Sequence, residues 1–115
     1  MNILKSLFGS TGAHLSAQEA SVHIENDPSV FILDVRQPEE YKAGHIPRAK
    51  LIPLNQLGSR LKELPQDREI ICVCQSGSRS SFATSQLLSA GYNALNLSGG
   101  MTAWQSAGLP VKRGK

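Results

Sequence analysis

The stretch Cys-Gln-Ser-Gly-Ser-Arg-Ser, residues 74–80, concentrates the residue types that can do chemistry in this chain. Cys74 ends a β-favouring run, Gly77 sits three places on, and Arg79 and three serines surround it. Two readings are open: a nucleophile in an anion-binding loop, or a buried thiol at the end of a strand, the more common state of an isolated cysteine. The loop composition favours the first. A strand passing through a tight turn into a helix surrounds the loop centre with N–H groups. Gly77 can adopt the positive φ that turns them inward, and the helix start adds partial positive charge. Such a cradle lowers a cysteine pKa from its usual value of about 8.5 and leaves a thiolate near neutral pH. Arg79 can hold an anionic group on a substrate, and the Ser76 and Ser78 hydroxyls can donate hydrogen bonds. Gln75, Ser76, Gly77, Ser78, Arg79 and Ser80 are therefore the substrate-binding candidates beside catalytic Cys74. Cys72 lies two residues earlier on the same strand and reads as core, with a resolving thiol as the alternative. Spaced i and i+2 along one extended backbone, the two cysteines have poor geometry for a disulfide. They also fall short of the four ligands that zinc requires, so no metal site is expected.

The elements that position this loop follow from the pattern of the chain. Residues 30–35, Val-Phe-Ile-Leu-Asp-Val, and 69–74, Glu-Ile-Ile-Cys-Val-Cys, are continuous β-rich runs, as in strands buried on both faces. Shorter strands are predicted at Ala49–Leu54 and Asn93–Leu97. Helices are predicted from Ser16, which with Glu19 has capping-box spacing, to about Glu25. Others run from Pro38 to a stop at Gly44, over Asn55–Leu64 with Leu57, Leu61 and Leu64 on one face, and over Ser78–Ala90 with Phe82, Leu87 and Leu88 as apolar contacts. Gly91 ends the last of these, and a final short helix follows Gly99 and Gly100. Alternating strands and helices imply an α/β fold, a parallel sheet with helices on both faces. Ligands in such sheets bind beyond the carboxyl ends of the strands, where Asp34, Arg36 and Cys74 all fall.

At 115 residues the chain fits one domain. Its hydrophobic and charged fractions, 40% and 18%, are those of a soluble globular protein, and no apolar run approaches the roughly 18 residues of a membrane span. The opening residues are too briefly apolar for a secretory signal, so a cytoplasmic location is expected. The formal charge of +3 is scattered and aromatics are few, which speaks against nucleic acid as a partner and for small anionic substrates. Residues 1–13 read as a flexible N-terminal segment, with docking on the domain or contact with a membrane as alternatives; membrane association is not the expectation. Residues 112–115 read as a basic C-terminal tail.

Three segments together resemble the single-domain rhodanese-like sulfurtransferases: Leu-Asp-Val-Arg-Gln-Pro-Glu-Glu-Tyr-Lys-Ala-Gly-His-Ile-Pro-Arg-Ala (33–49), the loop 74–80, and Gly-Gly-Met-Thr-Ala-Trp-Gln-Ser-Ala-Gly-Leu-Pro-Val (99–111). The resemblance covers residues 14–111, which would form the rhodanese-like domain. It implies a three-layer α/β/α fold with a five-stranded parallel sheet. It also implies a reaction in which Cys74 takes a sulfane sulfur from a small anionic donor such as thiosulfate. The resulting persulfide would pass to cyanide, a thiol or a protein acceptor, with ping-pong kinetics and no cofactor. Asp34 and Arg36 would support the loop, and the spacing suggests an Arg36–Glu40 ion pair. His45, Met101 and Trp104 read as structural. Gly99 and Gly100 either bring backbone close to the loop or form a helix-entry turn. Two residues depart from the family's usual pattern: Gln75 follows the cysteine where arginine is common, and Arg48 stands where glycine is common. A sulfur relay to a protein partner shares the first half-reaction. A cysteine-dependent phosphatase or arsenate reductase would need a loop one residue longer.

Overall fold

The computed structural model describes residues 13–115. The expectation for the N-terminal segment thus falls almost wholly outside the described residues. Among those residues, five strands form one parallel sheet: β1 (His14–Leu15), β2 (Phe31–Asp34), β3 (Lys50–Leu51), β4 (Ile70–Val73) and β5 (Ala94–Leu97). Their order across the sheet is β1-β5-β4-β2-β3, so the two long apolar runs, β2 and β4, are adjacent and internal. Five helices accompany them: α1 (Ala17–Asn26), α2 (Pro38–Ala43), α3 (Leu54–Leu57), α4 (Ser78–Ser89) and α5 (Gly100–Ser106).

Because side chains alternate along each strand, the sheet builds two cores. Ile32, Ile71, Val73, Leu95 and Leu97 pack with Ala20 of α1 and Met101 and Trp104 of α5. Leu33, Ile70, Cys72 and Ala94 pack on the other side with Leu57 of α3 and Ala83 and Leu87 of α4. This is the three-layer α/β/α arrangement.

Local signals explain most boundaries. Ser16 and Glu19 close the capping box of α1: the Glu19 N–H donates to Ser16 Oγ at 3.1 Å, and the Ser16 N–H donates to Glu19 Oε1 at 2.8 Å. The α4 helix ends as expected, with the Gly91 N–H on the Leu88 carbonyl and the Tyr92 N–H on that of Leu87.

Three expectations need correction. The helix predicted over 55–64 is broken: α3 ends at Leu57, and a 3-10 turn over Leu61–Glu63 follows. Gly58, a weak helix former, sits at the break, while Leu57 and Leu64 still reach the core without a continuous helix. Phe82 and Leu88 are not core contacts but exposed, at 66% and 38%. The buried stripe of α4 runs through Ser80, Ala83, Thr84 and Leu87, and Phe82 lies off it. The basic C-terminal tail, residues 112–115, is tied to the domain by its backbone. Lys112 exchanges both backbone hydrogen bonds with His45, at 2.8 and 2.9 Å, and the Gly114 N–H donates to the Lys42 carbonyl. Finally, β1 occupies residues read only as the approach to a helix. It pairs with β5, and the Asn96 N–H and Ser98 N–H donate to the Ala13 and Leu15 carbonyls.

Arg48 has φ 74°, a left-handed conformation in which side chains are disfavoured and glycine is not. Among the described residues, no helix is long and apolar enough to cross a membrane.

Candidate active site

Cys74 follows the last residue of β4, and α4 starts four residues later. Between them the chain must reverse its backbone direction within one short loop. Gly77 allows this with φ 103°, capping α4 in the left-handed region. The turn aims its donors at the sulfur. Sγ of Cys74 accepts from the Gly77 N–H at 3.1 Å and from the Ser80 N–H at 3.3 Å. The Ser80 hydroxyl lies 3.3 Å from Sγ and 3.2 Å from the Gly77 carbonyl, so its one proton serves one of these acceptors at a time. Among the described residues the hydroxyl that reaches the sulfur is that of Ser80, whereas the sequence pointed to those of Ser76 and Ser78.

Cys74 is fully buried. Burial pushes its thiol up, but the Ser80 hydroxyl, followed by the N–H groups of Ser80, Gly77 and Ser76, outweighs that effect and holds it below the usual thiol value. Cys72 lies one pleat earlier, without such a cradle. Burial pushes its thiol up to about 12 against a weaker opposing hydrogen bond from Thr84, as fits a protonated core residue.

The adjacent end of β2 supplies the support. Arg36 is 2% exposed and Asp34 is fully buried. Arg36 Nε and Nη2 grip the Asp34 carboxylate at 2.8–3.2 Å. Nη2 also donates to the Gly44 carbonyl at 2.7 Å, and Nη1 to Gln75 Oε1 at 3.2 Å. Gln75 in turn donates to Thr102 Oγ1 of α5 at 3.0 Å. The residue after Cys74 thus ties β2 to α5 across the loop.

The expected Arg36–Glu40 ion pair is replaced by another. Glu40 of α2 pairs with Arg79, whose Nη1 and Nη2 donate to Oε1 and Oε2, each at 2.8 Å. Arg36 is occupied by Asp34, and the four-residue spacing said nothing of a partner 39 residues away. The hydrogen bond from Arg79, with help from the Gln37 N–H, brings the Glu40 carboxyl to about 2 against the cost of its burial.

The α5 entry approaches the loop from beyond the sheet. The Met101 and Thr102 N–H groups donate to the carbonyls of Cys74 and Gln75 at 2.8 and 3.1 Å. A Cβ on Gly100 would lie 2.3 Å from the Cys74 carbonyl oxygen, so close backbone approach is the reason for this glycine. Asn96 was missed by the sequence reading. It is 3% exposed on β5, and its Nδ2 donates to the Gly77 carbonyl at 3.3 Å, steadying the turn. A lone polar residue in an otherwise apolar strand was the available signal.

His45 is buried, stacked on Tyr41 with 3.6 Å between ring centroids, and hydrogen-bonded through Nδ1 to the Tyr41 carbonyl. Met101 and Trp104 lie in the core, and Trp104 Nε1 donates to the Pro110 carbonyl at 2.7 Å. Among the described residues, no group of three or more His, Cys, Asp or Glu side chains could hold a metal ion. The arrangement can stabilise negative charge on one buried sulfur.

Comparison with known proteins agrees with this geometry. The family model described as a rhodanese-like domain matches residues 16–107. A protein of Allochromatium vinosum named a sulfurtransferase is 36% identical over 98 residues, which are 84% of this chain and 92% of that one. The thiosulfate sulfurtransferase GlpE of Pseudoalteromonas translucida is 33% identical over 95 residues, 82% of this chain and 90% of that one. Among solved structures, a rhodanese-related protein of Thermoplasma volcanium superposes with a TM-score of 0.81 at 30% identity, covering 86% of this chain and 96% of that one. The matched span includes the strand ends, the cysteine loop and the double-glycine turn. By sequence and by fold, the chain belongs to the rhodanese-like domain family.

Proposed function

We propose that the chain is a sulfurtransferase in which Cys74 carries the transferred sulfur as a persulfide. The observation that carries this reading is the cradle itself: one buried sulfur, with the Gly77 N–H, the Ser80 N–H and the Ser80 hydroxyl within 3.3 Å. In the first half-reaction the Cys74 thiolate attacks the sulfane sulfur of a donor. With thiosulfate, a new S–S bond forms to Cys74, the donor S–S bond breaks, and its electron pair leaves on sulfite. The enzyme is left with an anionic persulfide. The same amides suit the thiolate and the persulfide, since each is an anionic sulfur. In the second half-reaction a thiolate or cyanide attacks the outer sulfur and Cys74 departs as thiolate, so donor and acceptor alternate at one nucleophile. The acceptor is a small thiol, cyanide or a protein cysteine; delivery to a protein makes the domain a relay with the same first step.

Asp34 and Arg36 hold the loop rather than react. Residues 75–80 bind the donor and the transferred sulfur, chiefly through backbone. Both cysteines are free, and the reaction needs Cys74 reduced, as in a cytoplasmic setting. Phosphate chemistry is disfavoured because four residues separate Cys74 from Arg79, one fewer than the related phosphatase loop.

Mass spectrometry tests the reading. Incubation with thiosulfate or an organic persulfide should add one sulfur mass, located on Cys74 and absent from Cys74→Ser. No adduct from any sulfane donor would overturn it, as would hydrolysis of p-nitrophenyl phosphate faster than sulfur transfer.

A further inference from the structure

The cations around the loop are matched one by one. Arg36 lies against Asp34 with three hydrogen bonds from its guanidinium, and Arg79 lies against Glu40 with two. The position directly after the nucleophile, Gln75, is neutral. Once Cys74 ionises, these groups together carry the single negative charge of the thiolate. The amides that offset that charge are already directed at Sγ.

A donor therefore meets a site with no uncommitted guanidinium among the described loop and support residues. For thiosulfate, the encounter brings a dianion to a thiolate, three negative charges in all. For an organic persulfide, which reacts through its protonated form R–S–SH, it brings one: the thiolate attacks the outer sulfur, the donor S–S bond breaks with its electron pair on R–S⁻, and the Cys74–S–SH formed releases its proton to give the same anionic persulfide. The bond formed and the bond broken are both S–S, so no external oxidant or reductant is required.

We infer that Glu40 is a specificity-determining residue that, by holding Arg79, turns the site away from dianionic donors and towards organic persulfides. This rests on the Cys74 persulfide reading and extends it to the substrate class. Glu40 acts through Arg79 and touches no reacting atom. Its other task is local: its Oε1 accepts the Gln37 N–H at 2.9 Å to cap α2. Glutamine keeps an oxygen for that cap and for one of the Arg79 bonds while removing the charge, which makes Glu40→Gln the discriminating change.

The experiment follows Cys74 adduct formation by rapid quench and mass spectrometry, with thiosulfate and with the persulfide of 2-mercaptoethanol, which has no charged group beyond the persulfide itself, as donors. Removing one negative charge near a dianion should speed thiosulfate transfer in Glu40→Gln roughly three- to ten-fold, and persulfide transfer by less than about two-fold. Glu40→Gln with Arg79→Gln should lose the gain in thiosulfate rate that Glu40→Gln shows, because the released cation is then gone. In the wild type, the thiosulfate rate should rise with ionic strength, as for like charges. A thiosulfate rate in Glu40→Gln that is unchanged, lower, or raised equally with the persulfide rate overturns the inference. So does a wild-type thiosulfate rate that falls with salt. In any of these cases an adduct on Cys74 leaves the sulfurtransferase reading standing; absence of an adduct with both donors removes that reading itself.

Discussion

At the scale of single residues, Ser80 does more for the sulfur than its neighbours, because it offers both a hydroxyl and an N–H within 3.3 Å. Ser80→Ala keeps the N–H and removes the hydroxyl. The thiol should then titrate at higher pH, and alkylation by iodoacetamide at neutral pH should slow about three- to ten-fold, the worth of a hydrogen bond whose proton is shared between Sγ and the Gly77 carbonyl. The pH profile of alkylation checks this: the midpoint must move up, and an unmoved midpoint would mean that the backbone alone sets the acidity. Much of the loop's geometry was legible beforehand. Cys74, Gly77 and the helix that follows are a local pattern, readable from spacing. What escaped were partnerships between distant positions: Glu40 with Arg79, Gln75 with Arg36 and Thr102, and Asn96 with the Gly77 carbonyl. Each joins residues that only the sheet order brings together.

At the scale of elements, the contact between α5 and the cysteine loop is the most exacting. Gly100 has φ 55°, and a Cβ there would meet backbone atoms of Cys74 and Gln75 at 2.3–2.6 Å, which no side-chain rotation can relieve. Gly100→Ala should cost about 3 kcal/mol, through overpacking and left-handed strain, and should impair sulfur loading as the loop is displaced. Gly108→Ala is the control. Its φ is 73° with nothing within 4 Å of the added carbon, so only the conformational cost of about 1 kcal/mol is expected. Urea midpoints of the two variants give the comparison; equal losses would contradict the close-approach account. Long strands and capped helices were legible because period and punctuation agree within them. β1 was not, since two residues carry no period. The helix expected over 55–64 failed for the opposite reason: a leucine pattern that fits a helix also fits a broken turn when every leucine still finds the core.

For the whole molecule, closure depends on the ends of the described chain. Lys112 and Gly114 join the backbone of His45 and Lys42 through three hydrogen bonds, so the last residues lie across the segment between α2 and β3. Deleting residues 112–115 should lower stability by about 1.5–3 kcal/mol, at roughly 0.5–1 for each bond lost. Thermal or urea unfolding of the shortened chain checks this, and an unchanged midpoint would mean that these bonds add nothing to stability. At the opposite edge, β1 pairs with β5, joining His14 to Asn96 across most of the chain. During translation the first strand leaves the ribosome long before its neighbour exists. Residues 14 and 15 must stay unpaired until the codons for 94–97 have been read, and β5, which also carries the asparagine that steadies the sulfur loop, is the strand whose arrival completes the sheet.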